Sequence, residues 1–354
     1  MLLYYLIMDV FQFSKLHPKL SFNKAKFRKF YQYNTLSFSP HIFPNQFQFG
    51  QDIANTFLDR SVHTILAVAP TQSGKTGSML ATIQHVLAQP TLSLPIQHIF
   101  IITGHSSTEW TKQTMQRFPP EFRDNIFHRN QLSSFVDKVK DLSNVLIFVD
   151  ESHIASRKHQ SVQAALSNAG IFPNLYEKDI KIVLVTATPA LCIKNYTFQA
   201  TVSMKTPLDY RSIDSLILDG LVLTAKDLSL PSSIPHILEL ASFISGPPKY
   251  HIIRTPRGDG FQSTIDNFIL VFGVAHFDFI DDATDFDFLS FPPSTHTFIF
   301  IIDRLRCATT IDKSHLGVLY ERSPKIINSD TIVQGLLGRA TGFHSSSPIV
   351  FTHI

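Results

Sequence analysis

The chain has 354 residues, 44% of them apolar and 17% charged, with a formal net charge of +3. These values exclude a disordered chain and binding of nucleic acid by bulk charge, and they predict about two domains with a sizeable core. The two cysteines, Cys192 and Cys307, lie far apart, which excludes a disulfide framework or a CxxC zinc site and fits a reducing compartment.

The chain opens with an apolar run, Met1–Met8, that stops at Asp9, well short of a membrane span. It has no basic stretch before it and no small-residue cleavage site, so it makes a poor signal peptide. Residues 1–44 read as a basic, aromatic extension. No acid occurs from Val10 to Gln51, while Lys15, Lys19, Lys24, Lys26, Arg28 and Lys29 alternate with Phe22, Phe27, Phe30, Tyr31 and Tyr33. Such a segment suits a basic arm that stacks on bases, an organelle transit peptide, or a loosely packed extension, and the last is the favoured reading.

From residue 60 the chain alternates apolar runs with polar, helix-like stretches. The runs His63–Ala69, His98–Thr103, Asn144–Val149 and Lys181–Thr186 do not alternate internally with polar residues, so both faces of each strand should be buried. Gly77–Gln89 reads as a helix that stops at Pro90, and Ser161–Ala169 as another, ended by Gly170. This is the pattern of a parallel sheet flanked by helices. A second set of runs comprises Tyr250–Arg254, Phe268–Phe272, Thr297–Ile302 and Leu316–Tyr320. The expected boundary is near residue 200, between domains 45–200 and 201–354. The alternating Asp/Phe stretch Phe277–Phe291 reads as an acidic loop or strand edge.

The strongest motif is APTQSGKT, from Ala69 through Pro70, Thr71, Gln72, Ser73, Gly74 and Lys75 to Thr76, placed after a strand and before a helix. That context suits a phosphate-binding loop. Backbone N–H groups cradle phosphates, Gly74 permits close approach, Lys75 supplies charge to the β- and γ-phosphates, and Thr76 offers a hydroxyl to Mg2+. Ala69 stands where the strict pattern has Gly. The second motif is NVLIFVDESH, whose apolar strand ends in Asp150, a ligand for the Mg2+ shell, and Glu151, placed to polarise a water. The third, KIVLVTATP, ends a buried strand in Thr186 and Thr188, small hydroxyls able to bridge the metal site to a neighbouring domain.

In this order the three segments resemble motifs I, II (DExH type) and III of the superfamily 2 helicases. The resemblance covers roughly residues 45–354 and implies two RecA-like P-loop NTPase domains that use ATP and Mg2+. It implies that Gln51, in FQFGQDIA, reads the adenine edge while Phe47 stacks on it, and that His153 couples nucleotide state to the second domain. Ile99–Gly104 with Trp110 and Gln113 stands where the family first contacts the bound strand. DTIVQGLLGRATG resembles motif VI, which implies that Gln334 and Arg339 face ATP, with Arg339 as an arginine finger. Two departures stand out: Gln334 is one residue further from Gly338-Arg339 than usual, and the second arginine of the motif is Gly342. Segments such as YHIIRTPRG and HTFIFIIDRLRCATT resemble helicases of large DNA viruses or phages more than cellular ones.

The function expected is a nucleic-acid-dependent ATPase that translocates on or unwinds DNA, with DNA favoured over RNA, no membrane partner, and an accessory protein setting substrate choice. Its expected location is intracellular, cytoplasmic or nuclear, with a virus factory or host cytosol if viral. Arg254, Arg257, Arg304 and Arg306 at strand ends suit phosphates of a bound strand or a domain cleft, with ordinary solvation the commoner fate. Two rivals remain. A packaging-type ATPase with a C-terminal nuclease needs carboxylates converging on metals, for which Asp303 and Asp281 or Asp282 are the candidates. A nucleotide-dependent clamp with little turnover would follow from the missing second arginine.

Overall fold

The computed structural model describes residues 42–353 apart from 93, 107, 155–159, 274, 276, 282–285, 306–310, 324–328 and 345–346. Most of the N-terminal extension, with Asp282, Arg306 and Cys307, therefore lies outside the described residues. The chain divides into two compact units, residues up to 69 with 74–205, and 70–73 with 206–354.

The first unit begins with helix α1 (Pro44–Thr56), started by Pro44 and by the Gln46 side chain, which accepts a hydrogen bond from the Phe43 N–H at 3.2 Å. Strand β1 (Thr64–Val68) leads through the 69–74 loop into α2 (Lys75–Ala88). Then follow β2 (Ile99–Thr103), α3 (Thr108–Arg117), β3 (Ile126–Phe127), α4 (Leu132–Val139), β4 (Val145–Asp150), α5 (Ser161–Asn168), β5 (Ile180–Thr186), α6 (Ala190–Asn195) and β6 (Ala200–Ser203). The sheet is wholly parallel, in the order β3-β2-β4-β5-β1-β6. Its central strands are Ile-, Val- and Leu-rich because helices cover both faces. One face packs Ile147, Val149, Ile182 and Leu184 with Phe100, Phe135 and Leu166 into one buried cluster. Each such side chain contributes roughly 1.5–3 kcal/mol by leaving water.

The second unit starts with β7 (Tyr210–Arg211) and α7 (Ile213–Leu218), capped by the Ser212 hydroxyl. It continues through β8 (Val222–Thr224), α8 (Ile234–Leu240), β9 (Tyr250–Arg254), α9 (Asp259–Phe272), β10 (Phe277–Asp281), β11 (His296–Ile301), β12 (Leu316–Tyr320), α10 (Ser329–Gln334), α11 (Leu336–Ala340), β13 (Gly342–Phe343) and β14 (Ile349–Thr352). Its main sheet is again six-stranded and parallel, in the order β10-β11-β9-β12-β14-β8, while β13 and β7 form a small antiparallel pair. The expected α/β class, two parallel sheets flanked by helices, is thus observed.

Two expectations meet the structure differently. Phe268–Phe272, read as one of the apolar runs of the second set, is the last part of α9. Thr264, Ile265 and Phe268 are its buried residues, a helical rather than an alternating pattern. The Asp/Phe stretch does begin as a strand edge: β10 pairs only with β11, and Phe277 and Phe279 lie against Phe298 with ring centroids 5.6 and 5.7 Å apart. No helix among the described residues is long and apolar enough to cross a membrane.

Candidate functional site

In the first unit, β4, β5 and β1 are neighbours, and their carboxyl ends carry the acid pair, the threonines and the loop that opens α2. Parallel strands all point the same way, so these three sequence-distant segments meet at one edge of the sheet. The Ala69 N–H donates to the Thr186 carbonyl at 2.9 Å, and the Ser152 N–H to the Val185 carbonyl at 2.9 Å.

The loop turns tightly. Ser73 donates through its N–H (3.3 Å) and its hydroxyl (2.7 Å) to the Pro70 carbonyl, and Gln72 and Gly74 are left-handed, with φ of 58° and 90°. The φ of Gly74 disfavours other residues, and the Gln46 side chain fills the space where a Cβ would lie, its Nε2 1.9 Å away. The helix that follows has no side-chain cap and no acid in its first turn, leaving its N-terminal amides and dipole suited to an anion.

β4 ends at Asp150, and the chain then bends through Glu151 at a left-handed φ of 49°, an uncommon conformation for a non-glycine residue. Both carboxylates are buried. Lys75 Nζ lies 3.0 Å from Glu151 Oε1, and His153 Nδ1 lies 3.6 Å from Glu151 Oε2 and 3.2 Å from the Thr186 hydroxyl. The Thr186 hydroxyl donates to the Thr188 carbonyl at 3.1 Å and accepts from the Thr188 N–H at 3.0 Å. Burial pushes Glu151 up, but Lys75, His153 and His105 outweigh it and hold the carboxyl below its ordinary value. Asp150 moves the other way. Burial, then the charge of Glu151, push it up to about 6 against the pull of Lys75 and of a hydrogen bond from Trp110. Two adjacent carboxyls thus have opposed proton affinities, a pairing that lets one act as a base while the other awaits a cation.

Gln51 sits half-buried on α1, whereas Gln46, five residues earlier, is buried with its carboxamide over Gly74 and Gly77, where a Cβ at Gly77 would meet Gln46 Oε1 at 2.2 Å. Phe47 packs edge-on against His85 of α2, ring centroids 4.4 Å apart. Gln46 was overlooked because its place opposite the loop depends on how α1 packs on α2. Its local signal was a glutamine at the third position of a helix begun by Pro44. Trp110 donates through Nε1 to Asp150 Oδ2 at 2.9 Å, and the Gln113 side chain lies outside the described residues.

In the second unit Gln334 is buried in the last turn of α10 and Arg339 is buried in α11. Glu321, just past β12, accepts from the Leu336 N–H at 3.3 Å and pairs ionically with Arg254, its Oε1 2.7 Å from Arg254 Nε. Arg254 Nη1 and Nη2 also donate to the carbonyls of Arg304 (2.7 Å) and Leu305 (3.3 Å). Arg254 is therefore consumed inside the unit and does not reach out to a bound strand. Arg257 and Arg322 pair with Asp303, and Asp281 is exposed at the sheet edge. Among the described residues no group of three His, Cys, Asp or Glu side chains could hold a metal.

A second cation does stand beside Arg339. Lys313 is buried, its Nζ donates to the Thr341 carbonyl at 2.5 Å, and a Cβ built on Gly342 would lie 3.1 Å from that Nζ. A side chain at 342 would thus meet Gln72, whose Cβ is 3.0 Å away, together with the lysine. Burial first and the Arg339 charge second push its pKa down to about 8, against Asp312.

No family model matches the chain. An uncharacterized protein of Acanthamoeba polyphaga mimivirus is 23% identical over 310 residues, covering 80% of this chain and 78% of that protein. Among solved structures, the Escherichia coli DExH-box NTPase HrpB aligns over 88% of this chain with a TM-score of 0.54 and 13% identity. The ATP-dependent Type ISP restriction-modification enzyme LlaBIII bound to DNA aligns over 89%, with a TM-score of 0.55 and 13% identity. The chain shares its two-unit α/β fold with these two solved structures. The chain spans 42% of the HrpB chain and 28% of the LlaBIII chain.

Proposed function

We propose that the chain is a nucleic-acid-dependent ATPase that uses ATP and Mg2+ to translocate on, or separate, nucleic acid strands. The observation that carries this reading is the pairing of half-buried Lys75 with buried Glu151, 3.0 Å apart, beside Asp150 and at the open N-terminus of α2. The local chemistry suits the two ligands. The uncapped amides from Lys75 onward, behind a left-handed Gly74, suit a phosphate, and the Thr76 hydroxyl and Asp150 carboxylate are hard oxygen donors of the kind magnesium takes. Magnesium, when bound, offsets charge on the β- and γ-phosphate oxygens.

On this reading residues 45–200 bind ATP and residues 201–354 supply the finger. Lys75 exchanges its pairing with Glu151 for the phosphates, and Glu151, held ionised, orients and deprotonates the attacking water. The backbone of Ala69–Thr76 wraps the phosphates. Gln46 and Gln51 are the glutamines on α1 available to the base. His153, Thr186 and Thr188 form the relay from the acid pair. Gln334 and Arg339 act on the nucleotide from the second unit, with Lys313 as the second cation where the motif has Gly342. Lys313 favours turnover over the clamp reading, because the charge missing at 342 is present nearby. The engagement of Asp303 by two arginines argues against the nuclease reading. DNA is preferred as the track, in line with the DNA-bound Type ISP enzyme of the same fold.

The test is steady-state ATP hydrolysis with and without single-stranded DNA or RNA, comparing wild type with Lys75→Ala. Stimulation by DNA that falls about 10²-fold or more in the variant is expected. Nucleotide binding without hydrolysis under every condition would replace the motor with a clamp.

A further inference from the structure

Helix α3 brings two side chains to the acid pair from outside the three strand-end motifs. Trp110 is buried and donates through Nε1 to Asp150 Oδ2 at 2.9 Å. Arg117 follows seven residues later, two helical turns on and therefore on the same face. Its Nη1 lies 3.5 Å from the Thr76 hydroxyl, and burial lowers the guanidinium's pKa while the charge of Asp150 offsets part of that. One face of one helix thus presents an N–H to the first acid and a guanidinium to the hydroxyl of Thr76.

That placement conflicts with a metal at the same two groups. A magnesium ion sits roughly 2.1 Å from its oxygen ligands and carries its own waters. A guanidinium whose Nη1 lies 3.5 Å from Thr76 Oγ1 stands beside that coordination space. Two cations competing for one buried carboxylate repel each other, so occupancy by one disfavours the other. Trp110 has a different part. By engaging Oδ2 it fixes the orientation of the carboxylate, the usual task of a residue behind a metal ligand.

We propose that α3 supplies two further positioning residues of the metal site: Trp110 orients Asp150, and Arg117 is a resident counter-cation that withdraws from Thr76 and Asp150 when the metal–nucleotide complex is bound. The inference rests on the nucleotide reading above. It adds that metal binding is coupled to the side chains of α3, and that Trp110 can report the coupling because it is the chain's single tryptophan.

The experiment uses the full chain, with Mn2+ as the metal probe and ADP as the nucleotide. ADP binding is first measured in EDTA by equilibrium dialysis. Mn2+ affinity of the ADP complex is then read from the loss of the free-ion EPR signal, alongside tryptophan emission. Wild type should change its emission on adding Mn2+ or Mg2+ to the ADP complex. Arg117→Leu should bind Mn2+ about threefold to tenfold more tightly, and Arg117→Lys, which keeps a cation, should stay near wild type. Trp110→Phe should weaken Mn2+ binding by about tenfold or more. Should Arg117→Leu fold poorly by circular dichroism, Arg117→Gln takes its place with the same expected gain. Unchanged or weaker Mn2+ binding in the folded charge-removing variant, or no loss in Trp110→Phe, overturns the inference while leaving the nucleotide reading intact. Failure of wild type to bind ADP at all removes the nucleotide reading and this inference with it.

Discussion

The two units share an architecture and differ in the charged side chains they bury. The first collects acids, Asp150 and Glu151, and neutralises them locally with Lys75 and a Trp110 hydrogen bond. The second collects bases: Arg254 at the end of β9, Arg339 in α11, and Lys313 before β12. There neutralisation is selective. Arg254 has Glu321 at 2.7 Å, while no carboxylate lies within ion-pair distance of Lys313 among the described residues. A buried cation with its own carboxylate holds the fold together, whereas on the proposed reading one packed beside another cation is placed for the nucleotide's phosphates.

The most severe way to break this comparison is at Arg339. If it meets the nucleotide's terminal phosphate, Arg339→Ala should lower DNA-stimulated hydrolysis by about 10³-fold or more while ATP affinity changes little. Single-turnover hydrolysis with a parallel binding titration separates the two quantities. Retention of hydrolysis within tenfold, in a variant that melts like wild type, would remove the finger from the second unit. Arg254 should behave in the opposite manner. Arg254→Met strands Glu321 in the interior and should cost about 3 kcal/mol or more of stability, measured by denaturant unfolding. Adding Glu321→Gln should recover a good part of that loss. A destabilised Arg254→Met that the second substitution cannot rescue would mean that the guanidinium's bonds to the Arg304 and Leu305 carbonyls, not its charge partner, are what matter.

The same contrast explains what could be read from the residues. Strands β1, β2, β4 and β5 are legible because a strand buried on both faces must be a continuous apolar run, and little else in a soluble chain is. Phe268–Phe272 misleads for the same reason: five apolar residues ending a helix look like a buried strand until Thr264 and Ile265 are counted with them. β3, with two residues, and β6, reading Ala-Thr-Val-Ser, carry too little apolar signal to see. In the candidate site, the loop and acid pair announce themselves because each lies within a few consecutive residues at a strand end. Trp110 reaches Asp150 across 40 positions and Arg117 reaches Thr76 across 41, so no local motif could link them. Lys313 is further hidden by a substitution of place: the space beside Arg339 is filled from a loop rather than from position 342, and only the packing reveals it.

Lys313 sharpens the comparison with the smallest expected effect, and its sign is diagnostic. Burial and the Arg339 charge lower its pKa to about 8 from 10.5, so in the free protein its ammonium is lost as pH rises through 8. If that ammonium meets a phosphate, kcat/KM for ATP, which reports the free enzyme, should fall above pH 8, by about tenfold at pH 9. Lys313→Arg stays charged throughout this range and should abolish that limb, whereas Lys313→Met should be low and flat. Stability must respond in the opposite direction. Because the folded-state pKa lies below the unfolded one, the unfolded chain binds more protons between about pH 8 and pH 10.5, and through this group the fold gains stability as pH rises across that window. A wild type that loses kcat/KM while gaining stability relative to Lys313→Met over the same interval locates both effects at one ammonium. A limb that survives in Lys313→Arg would assign the titration to another group and leave Arg339 as the sole cation of the second unit at the nucleotide.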